Sequence, residues 1–93
     1  MIIIVAKYSL KPDKKNAFAD IAGELIEKSR AEEGCVSYRL CESTDNPDVV
    51  AFIEEWKDRA AIDFHNGTEH YKRLVPQLAE LRNDKDVSLY TEI

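Results

Sequence analysis

The stretch CVSYRLCESTDNPDVVAFIEEWK, residues 35–57, decides the fold. Apolar and polar side chains alternate from Cys35 to Glu42, which is typical of a strand with one buried face. The polar cluster at residues 43–48 predicts a turn, and the β-branched and aromatic run Val49–Lys57 predicts the returning strand. The stretch as a whole is therefore predicted to be an antiparallel hairpin.

The segments before this hairpin predict a strand and a helix. Residues Ile2–Leu10 are rich in β-branched and aromatic side chains and precede a turn at Lys11-Pro12-Asp13, so they predict a first strand. From Asp13 to Glu33 apolar residues recur every three or four positions, which is the period of an amphipathic helix. These apolar residues are Phe18, Ile21, Ala22, Leu25 and Ile26. Gly34 is expected to end the helix as its C-terminal stop.

The segments after the hairpin predict a broken helical region and a last strand. Asp58 can cap a short helix that runs to His65, and Asn66-Gly67 should end it. Thr68 can then cap a further helix. Alternation resumes at residues 86–93 and predicts the final strand.

The predicted element order is βαββαβ, with the second helical region in two pieces. This order predicts an α+β, ferredoxin-like antiparallel sheet with the helices on one face. No repeat or linker divides the chain, so residues 1–93 are expected to form one domain. The charged run Asn83–Asp86 is expected to be a surface turn.

Apolar residues on both faces of the predicted strands indicate a homodimer. In the first strand Ile4 and Tyr8 oppose Ile3 and Val5, and the third strand repeats this pattern. The helices carry one apolar stripe each, which covers only one face, so the other face would leave aromatic side chains in water. At about 25 cal/mol per Å² of apolar area, covering such a face is strongly favourable. Two sheets are therefore predicted to pack together, with the substrate cavity enclosed between them.

Composition excludes several classes of partner. The 93 residues carry a formal net charge of −5, which argues against a nucleic-acid partner because phosphate binding needs a basic face. The longest purely apolar run, Ile2–Ala6, is far too short to span a membrane and lacks a preceding basic segment. We expect a cytoplasmic protein with no membrane partner.

Residues 52–71 contain the types of side chain that a small-molecule site needs. Aromatic rings, a carboxylate and both histidines of the chain occur there. The candidates for catalysis are His65, His70 and Glu54, and those for substrate binding are Phe52, Trp56, Tyr38, Tyr71 and Lys72. His65 is the preferred base, because it ends the short helix after the Trp56 strand and an unperturbed imidazole titrates near neutral pH.

Each candidate also has a purely structural interpretation. The histidines could cap helix ends or bond backbone carbonyls. On one continuous helix they would lie about 140° apart, so neither an i, i+4 metal pair nor any other metal site is expected. Glu54, between two aromatic residues on an inward face, must be paired or neutralised, either by a cation across the interface or as a catalytic acid or base. The aromatic residues could simply be core, and Lys72 could belong to a solvated helix face.

Four groups of residues, taken in order, are specific to one fold family. They are Lys11-Pro12-Asp13 after the first strand, Glu33-Gly34-Cys35 with Tyr38, Glu54 with Trp56, and His65 with His70-Tyr71. In these positions the chain resembles the antibiotic biosynthesis monooxygenase family, small dimeric α/β-barrel proteins that include quinol monooxygenases. The resemblance covers essentially the whole chain.

This resemblance implies an enzyme that oxidises electron-rich aromatic compounds such as quinols, phenols or anthrones. The oxidant would be molecular oxygen, and no flavin, metal or other cofactor would take part. The protein's task would be to bind the ring, remove a proton and hold the resulting anion away from water.

Two alternatives stay open. Phe64-His65 and His70-Tyr71-Lys72 also resemble a branch of the family that isomerises a phosphorylated derivative of autoinducer-2. The phosphate of such a ligand could be anchored by Lys72, by Arg73 or by the free amides of the helix that starts at Thr68. A non-catalytic dimeric module that binds a small ligand is the other alternative. A haem-degrading branch is disfavoured, because Ala6 and His65 occupy the positions of its asparagine and tryptophan.

Overall fold

Seven elements follow one another in the computed structural model, which describes residues 1–93. They are β1 (Ile2–Leu10), α1 (Lys15–Arg30), β2 (Cys35–Glu42), β3 (Val49–Trp56), α2 (Arg59–Asn66), α3 (Glu69–Ala79) and β4 (Arg82–Tyr90). The order matches the predicted βαββαβ arrangement with a broken second helical region. No helix is long and apolar enough to cross a membrane.

The four strands form one antiparallel sheet in the order β2-β3-β1-β4. Hairpin partners β2 and β3 are adjacent, and the two helical crossovers place β1 between β3 and β4. This is the ferredoxin-like α+β fold predicted from the sequence. Within one chain the sheet is open and does not close into a barrel.

The two predicted helix caps after the hairpin are confirmed. The Asp58 carboxylate accepts a hydrogen bond from the Ala61 amide at 2.9 Å and starts α2. The Thr68 hydroxyl accepts one from the Tyr71 amide at 3.2 Å and starts α3. Each cap satisfies an amide that the helix itself leaves without a partner. The second helical region is therefore interrupted between Asn66, where α2 ends, and Glu69, where α3 begins.

The predicted role of Gly34 is wrong. Helix α1 ends at Arg30, and its cap is Ala31, which keeps a right-handed backbone with φ −79°. Gly34 lies beyond the helix and does not have a positive φ. A Cβ atom there would lie 2.3 Å from the Cβ of Ala61. Glycine is thus required by the close approach of α2 to the start of β2.

The predicted surface turn at Asn83–Asp86 is also wrong. These residues lie inside β4, which begins at Arg82 and pairs with β1, including Tyr8 opposite Lys85. The charged side chains gave no strand-like pattern in the sequence. An edge strand with one exposed face tolerates charges that a central strand would not. The consequence is that Lys85 joins the sheet face that the helices cover.

Alternate residues of the two central strands face the helices and form the core. Tyr8 of β1 and Phe52 of β3 pack against Phe18 of α1, with ring centroids 5.1 and 5.9 Å from the Phe18 ring. The prediction that the uncovered face is rich in aromatic residues is therefore wrong, since most of the sheet's aromatic rings pack beneath the helices. The opposite face, here called the rear face, carries Ile3, Val5, Val49, Ala51 and Ile53, all half-buried.

Candidate active site

A cavity of about 240 Å³ lies between the sheet and the helices of a single chain. Its floor is the helix-facing side of β1, β3 and β4, and its walls come mainly from α2 and α3. The cavity of the single chain therefore lies on the covered face of the sheet, whereas the sequence predicted a cavity between two packed sheets. Most of the lining is apolar, which suits an aromatic ligand.

Glu54 is the charged group at the centre of the floor. It sits in the middle of β3, 5 % exposed, directly opposite Ile4 and Tyr38 of the neighbouring strands. Its Oε1 accepts a hydrogen bond of 2.9 Å from the indole Nε1 of Trp56. Burial raises the pKa of Glu54 from 4.5 to about 7, and the Trp56 hydrogen bond opposes this rise. Glu54 is therefore poised between a neutral acid and a carboxylate near pH 7.

Three tyrosines and a lysine surround Glu54 in the cavity. Burial raises the pKa of Tyr8 to about 12, and it also raises the pKa values of Tyr38 and Tyr71. All three phenols therefore remain protonated donors at neutral pH. The Lys85 ammonium lies 5.2 Å from the centre of the Tyr8 ring, and burial lowers its pKa. The cavity thus supplies hydrogen-bond donors and two cationic side chains, Lys85 and Arg59.

Both histidines converge on one carboxylate, Glu32. The His65 Nδ1 lies 2.7 Å from Glu32 Oε2, and the His70 Nε2 lies 2.8 Å from the same oxygen. His65 is at the end of α2, His70 is in the first turn of α3, and Glu32 lies in the turn between α1 and β2. The break between α2 and α3 lets the two rings face each other, at 6.1 Å between centroids.

This hydrogen bond fixes the orientation of His65. Because Nδ1 is turned to Glu32, it carries the proton in the neutral ring, and Nε2 keeps its lone pair. His65 itself lines the cavity, and its ring packs 4.4 Å from Trp56 and 5.1 Å from Tyr71. Burial lowers the pKa of His65, while the Glu32 hydrogen bond opposes the decrease. A neutral imidazole oriented in this way can accept a proton from a bound molecule.

The structure divides the predicted site residues between four places. Those that line the cavity are Tyr38, Phe52, Glu54, His65 and Tyr71. Trp56 is fully buried behind it, between Glu54 and His65. His70 lies on the far side of Glu32, and Lys72 is exposed on α3 outside the cavity. Within one chain the side chain that is hydrogen-bonded to Glu54 is the Trp56 indole.

Two residues of the site were missed by sequence reasoning, Glu32 and Lys85. Glu32 is one of two consecutive acids in a helix-terminal turn, and only the fold brings it to a histidine 33 residues away. Lys85 was assigned to a turn. The period-two alternation of Lys85, Val87 and Leu89, which all line the cavity, was the available signal.

No metal site was expected from the sequence, because a helix break at Asn66-Gly67 removes any fixed spacing between the two histidines. In the structure this break brings ligand atoms of Glu32, His65 and His70 within 4.8 Å of one another. These three side chains are the group in the chain that could hold a metal ion. They lie between the cavity and a more open groove of about 620 Å³, here called the outer groove, which Glu32 and His70 line with Lys28, Lys57 and Phe64.

Comparison with known proteins agrees with the fold. The sequence model of the antibiotic biosynthesis monooxygenase family matches residues 1–77. "Putative monooxygenase YcnE" of Bacillus subtilis is 40% identical over 81 residues, which cover 87% of this chain and 85% of that protein. A solved structure described as an antibiotic biosynthesis monooxygenase is 37% identical with a TM-score of 0.93, covering 100% of this chain and 99% of that one. A conserved protein from Methanosarcina mazei Go1 is 33% identical with a TM-score of 0.96, covering 99% and 92%.

The chain belongs to the antibiotic biosynthesis monooxygenase family. This confirms the resemblance drawn from its residues and supports a monooxygenase-type function on a small molecule.

Proposed function

We propose that this protein is a cofactor-independent monooxygenase for a small, electron-rich aromatic compound of the quinol or phenol type. His65 acts as the general base. The observation that carries the proposal is the position of His65, which lines an apolar cavity while Glu32 holds its other ring nitrogen at 2.7 Å. The family and the names of the relatives support the reaction class, and the cavity supports the substrate class.

The chemistry requires only the substrate and oxygen. A quinol hydroxyl gives its proton to Nε2 of His65, and the resulting anion gives an electron to O2. Recombination at a ring carbon and loss of water then yield a hydroxyquinone. Overall, one quinol and one O2 give one hydroxyquinone and one water, so all the electrons come from the substrate. General-base help of this kind is typically worth about 10²–10⁴-fold.

The polar groups around Glu54 would stabilise the anion. The phenols of Tyr38 and Tyr71 are protonated donors in the cavity, and Lys85 contributes a positive charge. In its neutral form Glu54 can donate a further hydrogen bond to a second ring oxygen, since Trp56 already occupies its Oε1. Donors that are already in place where charge develops lower the barrier without reorganisation.

The size of the cavity favours one aromatic ring. At about 240 Å³ it lies below the roughly 300–1,000 Å³ of typical pockets for drug-sized ligands. A monocyclic quinol therefore suits it better than a tricyclic anthrone. Phosphate binding at Lys72, one of the anchors considered for the isomerase alternative, finds no support, because Lys72 lies outside the cavity.

Oxygen uptake by metal-free protein tests this function. We expect uptake with monocyclic quinols and much slower uptake with anthrones of equal redox potential. Hydroxyquinone should form in a one-to-one ratio with the oxygen consumed. No uptake above the uncatalysed rate across the panel would contradict the proposal, and a rise in melting temperature with phosphorylated sugar-like compounds would then favour the isomerase.

A homodimer stays part of the proposal, now on the rear face alone. Val5 and Ile53 are directly paired at its centre and are half-buried in a single chain. Sedimentation equilibrium should show a dimer, and Ile53→Glu should convert it to folded monomers because it places a charge in the apolar interface. Phe64→Glu, a matched change of a side chain 69% exposed on the helical side, should leave the dimer intact. A wild-type monomer at all concentrations would contradict this.

The cytoplasmic location also stays a prediction.

A further inference from the structure

We propose that Glu32, His65 and His70 form a binding site for one divalent first-row transition-metal ion, of which Zn²⁺ is the representative. Nothing in the family assignment or the proposed oxygenase mechanism uses such an ion. The site adjoins the substrate cavity through His65 and opens to the outer groove through Glu32 and His70.

The donor set is the first observation. Two imidazole nitrogens and one carboxylate oxygen are the ligands that Zn²⁺ and its neighbours accept, and three protein ligands leave an open coordination position. The ligand atoms are His65 Nδ1, His70 Nε2 and an oxygen of Glu32, all within 4.8 Å of one another. They come from three different segments, so the fold itself holds them together.

The second observation is an unsatisfied oxygen. Glu32 has a side chain only 6% exposed, and its Oε2 accepts both histidine hydrogen bonds. Its Oε1 is buried with no hydrogen-bond partner at all. A buried carboxylate oxygen without a partner costs free energy, and a metal ion bound by both oxygens would remove that cost. Such coordination would replace the two hydrogen bonds with two metal–nitrogen bonds.

The third observation is access. The exposed fraction of the side chains rises from 2% for His65 and 6% for Glu32 to 14% for His70. His70 and Glu32 line the outer groove, so an ion can enter from solvent without crossing the substrate cavity. Lys28 and Lys57 line the same groove and would favour hydroxide or another anion as the fourth ligand.

A metal ion bound at this site would inhibit the oxygenase reaction, a consequence that rests on the proposed function. Coordination through Nδ1 of His65 displaces the proton on that nitrogen, and the neutral ring must then carry its single proton on Nε2. Nε2 would change from acceptor to donor and could no longer take a proton from the substrate. The metal-free protein would be the active form, and Zn²⁺ would inhibit it reversibly.

The experiment titrates metal-free protein with Zn²⁺ by calorimetry and with Co²⁺ by visible absorption. Both titrations use a Cys35→Ser, Cys41→Ser background, because these two free thiols could bind metal themselves. We expect one ion per chain and a Co²⁺ spectrum of low coordination number. Glu32→Gln and His70→Gln should each weaken binding by about 100-fold or more, since even outer-shell partners are worth 10–100-fold. Glu33→Gln, a change at the exposed neighbouring acid, should leave the affinity unchanged.

The results of these experiments distinguish failure of the metal site from failure of the proposed oxygenase function. Absence of stoichiometric binding, or equal affinities in the wild type and in folded Glu32→Gln and His70→Gln variants, would overturn the metal site. Circular dichroism and melting temperature establish whether the variants are folded, and the Co²⁺ spectrum reports on ligand identity independently of affinity. Oxygen uptake is measured on the metal-free protein, so its absence would remove the proposed function while leaving the binding result intact.

Discussion

Replacing His65 by glutamine is expected to lower kcat/KM for quinol oxidation by about 10²–10⁴-fold, the usual contribution of a general base. Glutamine keeps an amide that can bond Glu32, but it has no group that can accept the substrate proton at neutral pH. His65 is 2% exposed, so the nearly isosteric change limits damage to packing. Steady-state oxygen uptake on metal-free variant and wild type gives the ratio.

His70→Gln is the matched control for this prediction. It removes the second hydrogen bond to Glu32 but leaves His65 and its contact with the cavity in place. We therefore expect a loss of activity much smaller than that of His65→Gln. Full activity in a folded His65→Gln protein, or an equal loss in both variants, would show that His65 is not the base.

Replacing Glu54 by glutamine should remove a large pH dependence of stability. The pKa of Glu54 rises from 4.5 to about 7 on folding, so the folded state binds the proton more tightly. The contribution of Glu54 to the wild-type free energy of unfolding should therefore fall by about 3 kcal/mol as pH rises from about 4.5 to about 7. Glutamine resembles the neutral acid and still accepts the Trp56 hydrogen bond. The variant should match the wild type at low pH and be the more stable protein at pH 8.

Urea unfolding between pH 4 and pH 8 measures this difference. Two charged groups act on Glu54: the Lys85 ammonium lowers its pKa and the Glu32 carboxylate raises it. The phenols of Tyr8, Tyr38 and Tyr71 stay neutral in this range. Glu55→Gln changes the next residue, on the half-exposed rear face, and serves as the control. If the free energy of unfolding depended on pH in the same way for Glu54→Gln and wild type, or if the variant were less stable at pH 8, Glu54 would be ionised and well paired in the folded state.

Local patterns predicted most of the fold. The alternation in β2 and β3, the helical period around Phe18 and Leu25, and the capping residues Asp58 and Thr68 each act over a few residues, and each appears in the structure. The failures have tertiary causes. Gly34 is a glycine because Ala61 approaches it from a later helix.

The site was less predictable from the sequence, because its geometry depends on contacts between residues that lie far apart along the chain. Glu54 and His65 could be recognised, since a carboxylate on an inward face and an imidazole at a helix end are unusual in the sequence itself. The convergence of His65 and His70 on Glu32 depends on the break between α2 and α3. It also depends on a contact between Glu32 and His65, which are 33 residues apart in the sequence. No short-range pattern distinguishes Glu32 from Glu33, and only the fold turns one of them inward.

The proposed function requires that an aromatic ring bind inside each chain, under the helices, with an oxygen next to His65. A crystal structure grown without oxygen in the presence of a monocyclic quinol tests this most directly. We expect the ring between Phe52 and the α2–α3 wall, with one hydroxyl within hydrogen-bond distance of His65 Nε2. A quinol bound in the outer groove or between two rear faces, with the cavity filled only by water, would contradict the claim.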